Sequence, residues 1–165
     1  MTSKKAIEGA RHLQQLKALR RTPLDFAEMT KNYHYVIDEN GMRELREFHP
    51  ESNVMIWMSP QEFLDLTGGE RFPFSAKSYN RIIERLKQGL PLAPLFIDVK
   101  PCGDRWKVVG HEGRHRALAS RDLGISKVPV FIYFKDEDGY FTLVPENFQR
   151  NQASIIQSLR RSNTC

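Results

Sequence analysis

Residues 108–117, Val-Val-Gly-His-Glu-Gly-Arg-His-Arg-Ala, hold most of the side chains in this chain able to do chemistry. Gly110 and Gly113 let a backbone turn sharply and come close to a ligand. The helix expected to start at Arg114 offers free N–H groups and a positive dipole end to an anion. Arg114 and Arg116 are suited to bidentate bonds with phosphate oxygens, and His115 to donating to the same oxygens or carrying a proton. His111 adds a fourth basic side chain within six residues, and Glu112 supplies the one carboxylate, for holding Mg²⁺ or acting as a base. Strand, glycine loop and basic helix start together make a phosphate pocket. The plainer reading is an ordinary strand–helix connection whose charged residues are solvated.

The same stretch contains His-Glu-Gly-Arg-His at 111–115, literally the H-E-x-x-H pattern of zinc hydrolases. That chemistry needs both histidines on one face of a formed helix, plus a third ligand. Residues 106–109 read as strand, and Gly110 and Gly113 make a helix starting at His111 poor. The remaining histidines, His12, His34 and His49, lie far upstream without ligand spacing. Zinc hydrolysis is therefore the third choice.

The elements that must position this segment follow from pattern. Residues 53–58 form a buried-strand candidate, followed by Ser59-Pro60-Gln61-Glu62, an N-cap with proline at N1 and a capping-box glutamate. Phe63, Leu64 and Leu66 give that helix its apolar face, and Gly68-Gly69 stops it. Ser75 caps a second helix over 76–88, with Ile82, Ile83 and Leu86 inward and Gly89 past its end. Residues 95–99 and 106–109 read as a hairpin turning at Cys102-Gly103-Asp104, with 110–113 as a short loop and a helix over 114–123. The apolar run 128–134 reads as a buried strand, 136–139 as a turn into 140–144, and 146–161 as a final helix. Upstream, 33–37 reads as a strand ending in a turn at Asp38-Glu39-Asn40-Gly41, with a short helix over 42–48. The class is α+β.

Composition narrows the setting. The 165 residues carry a net charge of +5, held by the ends: six basic residues against Glu8 over 4–21, where a helix is expected, and Arg150, Arg160 and Arg161 with no acid over 150–165. Those ends could attract DNA phosphates, in a salt-sensitive way. No apolar run approaches the roughly 20 residues needed to span a bilayer, and no secretory h-region follows the start. Two cysteines, Cys102 and Cys165, make no disulfide framework, so reduced thiols in a cytoplasmic protein are expected.

From Met58 to Phe134 the order of pieces resembles the ParB/sulfiredoxin superfamily. The Ser59-Pro60 entry, helix 76–88, Gly89-Leu90-Pro91 with Pro94-Leu95-Phe96-Ile97, and Leu123-Gly124-Ile125 with Val128-Pro129-Val130 all fall in that order. Residues 111–117 occupy the place of the ParB-type Gly-Glu-Arg-Arg-x-Arg-Ala box, and Gly113-Arg114-His115-Arg116 matches the Gly-x-His-Arg ending of sulfiredoxins and free-serine kinases. The resemblance implies one ParB/sulfiredoxin-like domain over 51–145, a mixed sheet with helices packed on it. A helical extension with a short strand over 1–50 and a C-terminal helix over 146–165 flank it. It also implies a nucleotide-phosphate site of Gly110, His111, Gly113, Arg114, His115 and Arg116, joined by Lys77, Ser78 and Arg81 on the upstream helix. Arg114 stands where sulfiredoxins have their nucleophilic cysteine, so sulfinic-acid reduction is not expected. Gly113 interrupts the paired arginines of the ParB box, and too little chain follows Phe134 for a helix-turn-helix segment.

The expected function is binding of ATP or another NTP with Mg²⁺ and hydrolysis or transfer of its phosphate. His115 and Arg116 would neutralise phosphates, Arg114 would add charge in the transition state, and Glu112 would hold Mg²⁺ or act as base. The alternative is a ParB-like DNA-binding or nuclease accessory protein, of plasmid or phage type, gripping DNA through its basic termini.

Overall fold

The computed structural model describes residues 32–69, 72–151 and 153–160, so the helix expected over 6–21 lies outside the described residues. A mixed sheet is built from β1 (Asn53–Met58), β2 (Leu95–Cys102), β3 (Arg105–Glu112), β4 (Val128–Phe134) and β5 (Leu159–Arg160), in the order β1-β4-β2-β3-β5. β4 pairs antiparallel with β1 and parallel with β2, and β2 pairs antiparallel with β3. Every residue of β4 is buried, as its unbroken apolar run requires of a central strand covered on both faces.

The capping signals produce the helices in their expected places. In α2 (Pro60–Leu66), the Ser59 hydroxyl accepts the Glu62 N–H and the Glu62 carboxylate accepts the Ser59 N–H, closing the capping box. Ser75 caps α3 (Ala76–Lys87) by accepting from the Ser78 N–H at 3.2 Å. Both pack on α4 (Arg114–Asp122). Phe63, Leu64, Ile83, Leu86 and Leu118 fill the core against Leu95, Ile97 and Val99 of β2 and Val130, Ile132 and Phe134 of β4. On the other side of β4, Tyr133 donates its hydroxyl hydrogen to Leu45 O in α1 (Glu39–Glu47) and packs edge-on against Phe48 and Phe141.

Several expectations need correction. Asp38 does not end a strand in a turn; its carboxylate accepts the Asn40 N–H and starts α1 at Glu39, three residues before the expected helix. Residues 33–37 make one isolated bridge, Ile37 to Leu92, because the Asp38 cap bends the chain away after a single rung. Residues 140–144 contribute only the bridge of Phe141 to Lys135. The expected helix over 146–161 breaks into α5 (Glu146–Arg150) and α6 (Ser154–Ser158) before β5 joins β3 in parallel. At the break Asn151 is extended, at φ −139°, and its carbonyl accepts the Ser154 hydroxyl at 2.7 Å, a local bond that competes with the helix ladder. Cys102, expected as a reduced thiol, ends β2 and is disulfide-bonded.

Ser120 lies wholly buried inside α4, and its hydroxyl has no hydrogen-bond partner. A desolvated, unpaired hydroxyl is a cost, and alanine is the better helix former. Ser120→Ala is therefore expected to raise the unfolding free energy by about 1 kcal/mol, read as a higher urea midpoint at unchanged slope. A lower midpoint would mean that the hydroxyl is paired.

Candidate nucleotide-phosphate site

The site is built where β3 hands over to α4. β3 continues through Glu112, so the expected loop at 110–112 is strand. Its pairing Phe96 to Glu112, Ile97 to His111 and Asp98 to Gly110 holds it on β2 beyond a bulge at Asp98/Val99. The turn is therefore made at Gly113 alone, at φ 114° and ψ 19°, a left-handed conformation suited to glycine. A Cβ there would fall 2.6 Å from Leu95 Cγ and 3.0 Å from Arg116 Nη2, so strand, turn and arginine are packed without room for a side chain. Gly113 gives α4 no side-chain cap, which leaves the first-turn amides without that partner.

Three basic side chains leave this turn in different directions. Arg114 donates from Nη1 to Thr67 O at 3.2 Å, at the C-terminal end of α2, and its Cζ lies 4.7 Å from the Phe72 ring centroid. Burial pushes the guanidinium pKa down, and Glu112 opposes the shift. His115 accepts the Ser75 N–H at Nε2, 2.8 Å away, so the neutral ring carries its proton on Nδ1. Its ring stacks on Phe74 with centroids 5.6 Å apart and meets Phe72 edge-on at 5.1 Å. Burial, then the Arg114 charge, lowers the His115 pKa, with Arg116 adding and Glu112 opposing. Arg116 donates from Nη2 to Pro94 O at 3.4 Å, while its Nε is buried with no partner. Among the described residues neither Arg114 nor Arg116 forms an ion pair.

The other expected residues are placed differently. His111 is half-buried, and its pKa is lowered by burial and then by Arg114, against Glu112 and Asp98. Glu112 is exposed at the end of β3 and stands opposite Phe96. Gly110 faces Asp98: a Cβ there would lie 2.8 Å from Asp98 Oδ2, and that carboxylate pairs with Lys135 at 3.3 Å. The start of α3 is brought beside α4 by the Ser75–His115 bond, but Lys77 and Arg81 on it are exposed and the Ser78 N–H goes to its own cap. Among the described residues no hydrogen bond or ion pair joins the side chains of Lys77, Ser78 or Arg81 to residues 110–116. His111 and His115 sit on a strand and a helix separated by Gly113, rather than on one helical face, as zinc hydrolysis would need. Among the described residues no group of three His, Cys, Asp or Glu is disposed to hold a metal. Glu112 is the one carboxylate within residues 110–116.

Thr67, Phe72 and Ser75, which hold Arg114 and His115, were missing from the sequence-derived set, as were Asp98 and Lys135. Ser75 alone carried a signal, as a helix cap. Compared with protein-family models, with curated proteins and with solved structures, the chain finds no match.

Proposed function

We propose that the turn at Gly113 and the start of α4 bind the phosphates of a nucleoside triphosphate with Mg²⁺, and that the protein hydrolyses the nucleotide or transfers its phosphate. The observation that carries this reading is the Arg116 Nε, buried without a partner on a helix start that no side chain caps. A buried donor with nothing to bond is costly unless a ligand completes it. Charge argues the same way. Burial disfavours the protonated forms of Arg114, His115 and His111, neighbouring arginines add to this for the two histidines, and an arriving anion would offset that cost. The order of motifs that resembles the ParB/sulfiredoxin superfamily supports a nucleotide rather than another phosphate ester.

Isothermal titration of ATP, CTP and GTP with Mg²⁺ into the wild type and Arg116→Ala tests it, with the thermal midpoint of each protein as a folding control. Loss of one charge-assisted phosphate contact, worth about 1.5–3 kcal/mol, should weaken binding at least tenfold. Silence for every nucleotide from folded protein would sink the reading. Salt-sensitive binding of duplex DNA in its place would favour the accessory-protein alternative, for which the basic termini are the support.

A further inference from the structure

Ser75 has two of its three polar groups committed to α3: its hydroxyl accepts the Ser78 N–H and its carbonyl accepts the Tyr79 N–H. The third, its own N–H, points out of the helix and donates to His115 Nε2 at 2.8 Å. That bond fastens the start of one helix to the first turn of another across 40 residues of sequence. The imidazole is held in place for it by Phe74 stacked on one side and Phe72 edge-on. Further along α3, the Tyr79 hydroxyl donates to Asp122 Oδ2 at 2.6 Å, so the helix body has a separate tie to α4.

We propose that His115 is a proton-operated latch: neutral, it holds the start of α3 against α4, and protonated, it lets that start go. The chemistry is one proton. A solvent proton added to the Nε2 lone pair turns the acceptor of the Ser75 N–H into a second donor pointing at it. Two donors cannot share a hydrogen bond, so the amide is left without a partner and the first turn of α3 loses its anchor. The Tyr79–Asp122 bond involves neither nitrogen of His115, so release is confined to the helix start. The charged groups facing the ring are Arg114 and Arg116 from α4 and Glu112 from the end of β3; the described part of the segment ahead of α3 presents Phe72, Phe74 and Ser75, none of them charged.

The sign follows from burial and the two arginines, which hold the folded-state pKa below the ordinary 6.5. The unfolded chain takes up the proton first, so the stabilisation is fully present above pH 6.5 and is lost as pH falls from there toward the folded-state value. The latch is closed at neutral pH and opens as the pH falls through the folded-state pKa, which lies below 6.5. Its test uses no ligand, so its failure and the failure of nucleotide binding are read separately.

Two measurements on the full chain test it. Amide exchange, expressed as a protection factor to remove the intrinsic pH dependence, should show Ser75 losing about tenfold in protection between pH 7.5 and pH 5, the worth of one hydrogen bond. In His115→Gln, whose amide oxygen accepts the same N–H without titrating, that protection should stay level with pH, whereas His111→Gln should behave as wild type. Equal pH profiles in wild type and His115→Gln would overturn the proposal. Nitrogen NMR of the wild-type imidazole needs no variant to fold: Nε2 without hydrogen at pH 8 is the expected result, and a protonated Nε2 there would equally overturn it.

Discussion

Gly113→Ala is expected to be among the most damaging single substitutions in this chain, lowering the unfolding free energy by about 2–5 kcal/mol. Two costs combine. A side chain at φ 114° sits in a backbone region that L-residues avoid, worth about 1–2 kcal/mol. The new Cβ also lands 2.6 Å from Leu95 Cγ and 3.1 Å from Leu95 Cβ, and Leu95 is itself fully buried, so it cannot step aside without disturbing its neighbours. Overpacking of this kind costs about 1–3 kcal/mol. Gly103 supplies the control: it too is left-handed, at φ 63°, but has nothing within 4 Å of an added Cβ. Gly103→Ala should therefore show the backbone cost alone. Denaturant titration of both variants reads the difference, and equal midpoints would mean that Leu95 does not confine the turn. Because Gly113 also packs closely on Arg116, the proposed nucleotide binding should fall in the same variant.

The second large effect is expected at Asn53, the first residue of β1. Its side-chain amide nitrogen donates to three carbonyls: Arg46 O at 3.3 Å, Phe48 O at 3.0 Å and His49 O at 2.9 Å. These close the end of α1 and hold His49 at φ 48°, the one non-glycine residue with positive φ among those described. Asn53→Ala removes the shared donor of three half-buried hydrogen bonds, whose carbonyls belong to exposed residues and can turn to water, at a cost of about 1–3 kcal/mol. Asn53→Asp is the sharper test, since it keeps the shape and changes only the chemistry. A carboxylate facing three carbonyls is repelled by all of them, so the aspartate variant should be less stable than the alanine one at neutral pH. Acid that protonates the carboxyl should recover part of the loss. An aspartate variant as stable as wild type would show that shape alone holds the α1 end.

Elements governed by neighbours in sequence could be read directly. The Ser59–Glu62 box, the Ser75 cap and the apolar run of β4 each carry their own explanation within a few residues, and each lies where pattern placed it. Elements governed by distant partners could not. β3 runs on to Glu112 because Phe96 and Ile97, across the hairpin, extend the ladder past the bulge, and no property of residues 110–112 announces that. At Asp38 the sequence is ambiguous because the same small polar residues serve turns and helix caps; in the fold, the contacts with Leu92 align the chain for α1. At the site, the clustering of basic residues and the need for glycine at 113 were both legible. The destinations of the side chains were not: Arg114 reaches a helix end, His115 a backbone amide and Arg116 a proline carbonyl, and carbonyls and amides look alike in every sequence.

The central place of β4 has a consequence for the order in which this protein can be made. β1 and β2 do not pair with each other; among the described residues β4, the fourth strand in sequence, is the one strand partner of β1 and the second partner of β2. Asn53 waits for Tyr133 and Leu95 for Val130 before either ladder can form. A chain emerging from the ribosome can close the β2–β3 hairpin and its helices early, but the sheet stays in two halves until residues 128–134 arrive. During that interval two apolar strands present bare edges, the condition in which chains pair with the wrong partner. Insertion of β4 then joins both halves at once, so completion of this fold is a late, long-range event rather than a gradual one.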